Sequence, residues 1–459
     1  MREMRAGGVF MRRPIKKLAP IQFAYRVDDR PAPFVHSHSE YEILYLHRGA
    51  GKYKLGEQIL ELKPGDLLLM NGMTLHGPQV RQGESYCRTV IHFDPAYVDE
   101  LTRLPYTLHA REPFLRFGNA KITLSGESRL RFERQLAEMS RLANRAHFVA
   151  QCRFQTLFLD LLFFIRGLCE EYAGLSANPP LQAKTVKEHH VRELFLYLEE
   201  HYTRDFDLHS LEDKMHVNKY YLSKLFKEMT GMTIFQYVML KRIHQAKAKL
   251  LLRPSQSITE IGCEAGFKQP AHFTRAFKEF TGSTPTRFRN SHCASPNGAK
   301  ERLPVFEHPV HKPPIRIRYS NDNPFAQGPH LHSLYEIYFF QEGRCSYVVG
   351  DHRYELRPGD MLIMDGSTPH GANPDRNAPY RRTSVHFDPD YAERLCSVFG
   401  IDLLRHFRNG SHRLLRLTAA EQVALQEKLD TINQLYMHAN ALAFNRLHAL
   451  FLDLLLMIH

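Results

Sequence analysis

The sequence predicts an α+β multidomain protein: two small antiparallel β-barrels with trailing helices, and an all-α module between them. Three observations predict it. A long internal repeat begins "HSHSEYEILYLHRG" at 36–49 and returns as "HLHSLYEIYFFQEG" at 330–343. A shorter repeat between the two copies has helical periodicity. Basic residues concentrate in that central piece, with fourteen Lys and Arg against four Asp and Glu over 214–289, so most of the net charge of +12 lies there.

Length and composition agree with this division. A chain of 459 residues accommodates about three domains of roughly 150 residues each. Seven cysteines (87, 152, 169, 263, 293, 345, 396) are odd in number and contain no C-x-x-C pair, which argues for reduced thiols and a cytoplasmic location. The start, "MREMRAGGVFMRRPIKKL", is basic but lacks the apolar run of a signal peptide. The apolar stretch "LFLDLLFFI" (157–165) carries a charge and is short for a bilayer, so no membrane partner is expected.

Each long repeat reads as short strands separated by turns. The offset of 294 persists without a gap from 36 and 330 to 92 and 386. "ELKPGDLLLMNGMTLHG" (61–77) returns as "ELRPGDMLIMDGSTPHG" (355–371), and "RTVIHFDPAYVDEL" (88–101) as "RTSVHFDPDYAERL" (382–395). Segments such as "YEILYLHRG" and "GKYKLGEQILEL", with Pro64-Gly65-Asp66 before "LLLM", predict antiparallel barrels over 20–125 and 313–416. Amphipathic helical segments follow at 126–175 and 417–459, and "FLDLL" recurs in them at 158–162 and 451–455. Such helices either cap a barrel or make a dimer seam. The second reading predicts a homodimer or an intrachain pseudo-dimer of the two barrels.

The His-x-His phrase resembles the first motif of the cupin superfamily, His-x-His, three residues, Glu, six residues, Gly. His36, His38, Glu42 and Gly49 fit it, as do His330, His332, Glu336 and Gly343. The second motif is matched in spacing by Gly65 with His76 and Gly359 with His370, but Asn71 and Met73, like Asp365 and Ser367, replace its Pro and Gly. Residues two apart on a strand share a face, so three imidazoles and a carboxylate would converge at the barrel mouth. This set can line a pocket for an organic effector, hold a divalent metal such as iron, manganese, nickel or zinc, or be a hydrogen-bonded remnant. We take the effector pocket as the expectation, with no obligatory cofactor. Tyr41, Tyr45 and Tyr53 are either ring platforms for a sugar or plain strand residues.

The central module, 187–290, contains two matching helical units. "YYLSKLFKEMTGMTIFQY" (220–237) matches "AHFTRAFKEFTGSTPTRF" (271–288) at an offset of 51. Leu222, Leu225, Phe226 and Met229 in one unit, and Phe273, Ala276, Phe277 and Phe280 in the other, form an apolar stripe at helical spacing. Gly231 and Gly282 end the helices. Each is preceded by a shorter helix and a tight turn: "LHSLEDKMHV" with Asn218 as N-cap, and "ITEIGCEAGF" with Gly266 at the turn. Helix, tight turn, helix with a basic outer face is a DNA-reading unit. A connecting helix over 234–253 would span about 30 Å, close to the repeat of the major groove.

This arrangement resembles the AraC family of transcription regulators, on Tyr237, Arg242-Ile243, Ala246 and Leu250-Leu251 of the connector and "SITEIGCEAGF" followed by "HFTRAFKEFTGSTPTRFR". The resemblance implies base readers at Tyr220, Ser223 and Lys224 in the first unit, and at Pro270, Ala271, Thr274 and Arg275 in the second. Asn218, Lys219, Lys227, Lys268, Gln269 and Lys278 complete the expected DNA-binding set, the lysines at 227, 268 and 278 on phosphate. Glu212 departs from the small Ala usual at its place, and Gly262 fills the equivalent place in the second unit. The carboxylate must tilt outward or pair with Lys214 or Lys219.

The resemblance also implies a barrel that senses a small molecule, here expected to be a sugar or sugar derivative. Double-stranded DNA is the main partner, with RNA polymerase a further one. An arm (1–19) and linkers (176–186 and 291–312) join the parts. The chain stops at 459, where the first copy would continue into a linker and reader, so the last helical segment is expected to be truncated. The alternative is a metal-dependent bicupin isomerase or dioxygenase with a DNA-binding insertion; no catalytic residue is assigned.

Overall fold

The computed structural model describes residues 20–28, 35–79, 85–103, 106–143, 145, 147–175, 186–204, 207–292, 315–323, 329–375, 377–438 and 440–459. The arm 1–19 and most of both expected linkers lie outside them.

The first repeat folds as β1 (Ile21–Val27), β2 (Tyr41–Gly49), β3 (Gly51–Leu55), β4 (Gln58–Leu62), β5 (Asp66–Met70), β6 (His76–Gln79), β7 (Tyr86–Phe93) and β8 (Asn119–Thr123), with α1 (Pro95–Leu101) and α2 (Glu112–Phe117) between the last two strands. A five-stranded antiparallel sheet, β1-β7-β2-β5-β8, packs on a three-stranded one, β4-β3-β6. Leu44, Leu46, Tyr53, Leu55 and Leu68 fill the space between them. Strand β5 is buried at every residue, because the sheet is covered on both faces. Two helices follow, α3 (Gly126–Ala143) and α4 (Phe148–Leu175).

The reader comprises α5 (Val186–His201), α6 (Leu208–Met215), α7 (Lys219–Thr230), α8 (Ile234–Leu252), α9 (Ile258–Glu264), α10 (Pro270–Thr281) and α11 (Pro285–His292). Its boundaries are set by side-chain caps. Asn218 accepts from the Tyr220 and Tyr221 amides to start α7, while Thr233 and Ser257 form capping boxes with Gln236 and Glu260. The stripe read from the sequence is the core: Leu222, Leu225, Phe226, Phe273, Ala276 and Phe277 are buried, and Met229 and Phe280 half-buried.

The second repeat reproduces the first with β9 (Ile315–Asn321), β10 (Tyr335–Gly343), β11 (Cys345–Val349), β12 (His352–Leu356), β13 (Asp360–Asp365), β14 (His370–Pro374), β15 (Tyr380–Phe387) and β16 (His412–Arg416). Its sheets, β16-β13-β10-β15-β9 and β12-β11-β14, have the same order, and the bridge His36–His76 recurs as His330–His370. α12 (Pro389–Cys396), α13 (Ala419–Met437) and α14 (Ala441–Ile458) complete it.

Two compact units result. One holds the first barrel and the reader; the other holds the second barrel together with 104–108 and 146–163. This corrects the treatment of 126–175 as one segment, since the unit boundary cuts α4. Arg153 and Asp160 in the first half of α4 pair with Asp453 and Arg446 of α14, which lies far along the sequence. A second correction concerns the apolar runs. Helices α4 and α14 are long and apolar enough to cross a membrane, but 67% and 78% of their apolar windows are buried within the protein. Leu157–Phe163 and Leu447–Leu456 are core residues here.

Candidate DNA interface and sensor site

On the reader, most expected DNA contacts stand outward. Tyr220 is 74% exposed, and Lys224, Lys227, Lys268, Gln269, Pro270, Ala271, Thr274, Arg275 and Lys278 are all exposed. Asn218 is exposed but its side-chain oxygen is used in the cap. Lys219 is half-buried, its ammonium within 3.1 Å of the His209 ring and 3.9 Å from Glu212. Glu212 is therefore answered by Lys219 and by the Asn218 amide at 3.3 Å, with no bond to Lys214. In the second unit no such carboxylate fits. A Cβ on Gly262 would already lie 2.6 Å from the Phe273 ring.

Ser223 differs from its exposed neighbours: the residue is half-buried, and its hydroxyl is buried without a hydrogen-bond partner among the described residues, where the helical spacing predicts an outward side chain. Pairing also redistributes the basic charge. Lys241 binds the buried Glu199 at 2.8 Å, Arg253 binds Glu100 at 2.5 Å, and Lys249 and Arg253 share Glu264. These cations hold the reader together and against its barrel. Exposed basic residues remain on α7 and α10, with Lys214, Lys268 and Arg287 outside them.

In the first barrel one carboxylate collects three imidazoles. Glu42 Oε2 lies 3.2 Å from His38 Nε2, 3.1 Å from His76 Nε2 and 3.1 Å from His92 Nε2. The second barrel repeats this, with Glu336 Oε2 at 3.4, 3.2 and 3.2 Å from His332, His370 and His386. His36 and His330 sit beside these groups, each ring centroid 4.6 Å from that of His76 or His370. In each barrel the four expected residues are thus brought together. His92 and His386 were missed, although the repeat preserved them both; their strand register places them directly opposite the glutamates. A Cβ on Gly366 would lie 2.0 Å from the His332 ring, so the turn leaves that imidazole its place.

The electrostatics follow from burial and partners. Burial alone would raise the Glu42 carboxyl, but the charge of His92 and hydrogen bonds from three imidazoles hold it well below the usual carboxylate range. Glu336 is held down in the same way by His332, His370 and His386. Burial and the neighbouring His76 and His38 push His36 down to about 4. His38 Nδ1 donates to the Glu40 carbonyl and His76 Nδ1 to that of Thr74, at 2.9 and 2.6 Å. The Nε2 atoms therefore present either a second proton or a lone pair to the carboxylate. In the second barrel Glu336 Oε2, His332 Nε2 and His370 Nε2 are buried without a well-aligned hydrogen bond. One donor atom from each of His36, His38, Glu42 and His76, and of their four counterparts, lies within 4.8 Å of the others. The residues fit a divalent transition metal as well as a polar organic group.

Tyr41, Tyr45 and Tyr53 are strand-core residues, each 2% exposed or less, and offer no open ring face.

A third set of contacts ties this barrel to the reader. Asp94, two residues beyond His92, lies 2.7 Å from His244 in the middle of α8. The Ser39 hydroxyl is 3.3 Å from the other ring nitrogen of His244, and the Ser37 hydroxyl donates to the Thr230 carbonyl at 2.7 Å. Arg111 joins Asp99 to Glu199, and Gln245 donates to Glu100. The loop that carries His36 and His38 thus touches the connector directly.

A barrel with a buried polar cluster, joined to a paired helix-turn-helix unit, is the architecture of a DNA-binding regulator that carries a ligand-binding domain. The family profile described as "AraC-like ligand binding domain" matches residues 23–162 and 313–429, more than half of the chain, and that described as "Helix-turn-helix domain" matches 211–291. The chain belongs to the AraC family of transcription regulators. It is 23% identical over 261 residues to the uncharacterized HTH-type transcriptional regulator YdeC of Bacillus subtilis, covering 56% of this chain and 85% of that one. It is 25% identical over 259 residues to the HTH-type transcriptional activator RhaR of Cronobacter sakazakii, covering 55% and 86%. Over 93 residues it is 34% identical to the bifunctional transcriptional activator/DNA repair enzyme AdaA of Bacillus subtilis, covering 20% and 44%. The protein is a DNA-binding regulator by family, and the relatives named as regulators favour that reading over the bicupin one.

Proposed function

We propose that this regulator reads two successive major-groove segments with α7 and α10, and that a small polar molecule at the imidazole–carboxylate cluster alters how the reader is held. The observation that carries the reading is the contact of the cluster's own loop with α8. Ser39 follows His38, Asp94 lies two residues beyond His92, and both meet His244. A ligand that moves either segment changes the seating of the helix that joins the two readers. Such a ligand acts only through different affinity for the two seatings.

Arg275 is the strongest candidate for direct readout, because guanidinium pairs bidentately with guanine. Ala271 and Thr274 are exposed on the same helix, Tyr220 and Lys224 are exposed on α7, and Lys227, Lys268 and Lys278 supply phosphate contacts. For the effector we favour a sugar or sugar derivative. Its hydroxyls match the imidazole and carboxylate groups; stacking on Tyr41, Tyr45 or Tyr53 has no part in this. A divalent metal would use the same donors and supply Lewis acidity to a bound polyol. RNA polymerase is the further partner, and the cytoplasm the compartment.

The test is selection of bound sequences from a random duplex library at physiological salt, repeated with a panel of sugars and with nickel or zinc. Two short elements about one helical turn apart, with affinity altered by one of these additions, would bear the reading out. Recovery of a single element would remove the paired reader, and an unaltered affinity throughout would remove the effector.

A further inference from the structure

Two ion pairs in the second unit, one buried and one partly buried, are copies of one another. Arg153 Nε lies 2.8 Å from Asp453 Oδ1, and Arg446 Nε lies 2.7 Å from Asp160 Oδ1, each with a second guanidinium contact to the same carboxylate, at 3.4 and 3.1 Å. Arg153 and Asp160 are on α4; Arg446 and Asp453 are on α14. The repeat equates these helices at an offset of 293, so that Arg153 corresponds to Arg446 and Asp160 to Asp453. Each helix therefore gives its arginine to the other's aspartate. Arginine and aspartate are seven residues apart, two turns along one face. For i to meet j while j meets i, the helices must run antiparallel about a local two-fold axis, the geometry of an isologous interface between two copies of one surface.

We propose that α4 and α14 form in cis the two-fold helix interface that a chain with one repeat would have to form with a second copy. The chain's own second repeat occupies the surface. The places where the symmetry breaks support this occupant. Asn445 stands where the first repeat has Cys152. It is fully buried, accepts from the Thr107 amide at 2.8 Å and donates to the Thr107 hydroxyl at 2.8 Å. Cys152 could not return those bonds. Lys428, where the first repeat has Gln135, adds a second cation to Asp453 at 2.5 Å. Asn445 thus meets its partner where α14 faces the first repeat, and a pair of α14 helices would not offer it Thr107.

Charge exchange within the full chain tests this, and no DNA is needed. Arg446→Asp alone places two carboxylates together, and Asp160→Arg alone places two guanidinium groups together. Each is expected to lower Tm by roughly 10 °C or to reduce soluble yield. In cis, the double variant carrying both changes recovers stability, whereas co-expression of the two single variants does not. In trans, the co-expressed pair recovers, because each chain supplies the other's complement. Recovery by co-expression, or no recovery in the double variant, would overturn the proposal. The unaltered chain is expected to keep a mass of 53.4 kDa across the micromolar range; a dimer that either single variant dissociates would overturn it equally.

Discussion

His244 Nδ1 stands 2.7 Å from Asp94 Oδ2, and both side chains are buried. The other oxygen of Asp94 accepts from the Ala96 amide at 3.0 Å and starts α1. One carboxylate thus fixes the end of a barrel strand and the middle of the reader's connector. Burial would raise its pKa, but His244, Lys247 and Lys241 hold it well below the usual range. Replacing Asp94 by Asn keeps the cap and removes the charge. We expect a loss of about 3 kcal/mol from the broken buried pair, together with faster amide exchange across 240–249. Unchanged exchange on α8 would show that Asp94 does not hold the connector.

The two readers separate affinity from specificity. Arg275→Ala should relax discrimination at one base position at a cost of about 1–3 kcal/mol. Lys227→Ala should weaken every sequence alike and reduce the slope of log affinity against log salt by about one. Binding titrations on selected and scrambled duplexes at several salt concentrations distinguish these. Equal losses on both duplexes for Arg275→Ala would remove its role in base readout.

Ser223 gives a prediction opposite to its sequence assignment. A buried hydroxyl without a partner carries a desolvation cost, so Ser223→Ala should leave stability unchanged or raise it by about 1 kcal/mol. DNA affinity should stay within twofold. A tenfold loss of affinity at unchanged stability would show that the hydroxyl turns outward to reach a base.

Much of this was legible, and the remainder failed for definable reasons. The gapless offset of 294 revealed both barrels, and strand alternation brought His36, His38, Glu42 and His76 together. His92 was visible in "HFDP", which both copies share, but spacing rules that stop at the motif cannot say which strand lies opposite Glu42. Charge counting failed differently. Lys241 and Arg253 raised the basic total over 214–289, yet they face Glu199 and Glu100. Asp160 looked like a charge interrupting an apolar run, because its partner Arg446 is 286 positions away. Local periodicity reports which face is buried; it does not report what covers it.

A buried histidine in the second unit makes stability depend on pH. His448 is 1% exposed, packed against Phe444, Tyr106 and Tyr391, and its Nδ1 donates to the Phe444 carbonyl. Burial pushes its pKa down to about 4, although the hydrogen bond opposes this. An unfolded chain takes up this proton as pH falls through about 6.5, while the folded chain does not until about 4. The unfolded state therefore binds more protons between those values, and stability is lost as pH falls across that window. For a group this buried the loss amounts to about 3 kcal/mol in total. His448→Leu removes the titrating ring with similar volume. Urea unfolding from pH 7.5 to 4.5 should show the variant losing less stability than the unaltered chain, the difference growing below pH 6.5. Parallel curves would mean that His448 is already protonated in the folded state, or stays neutral in both.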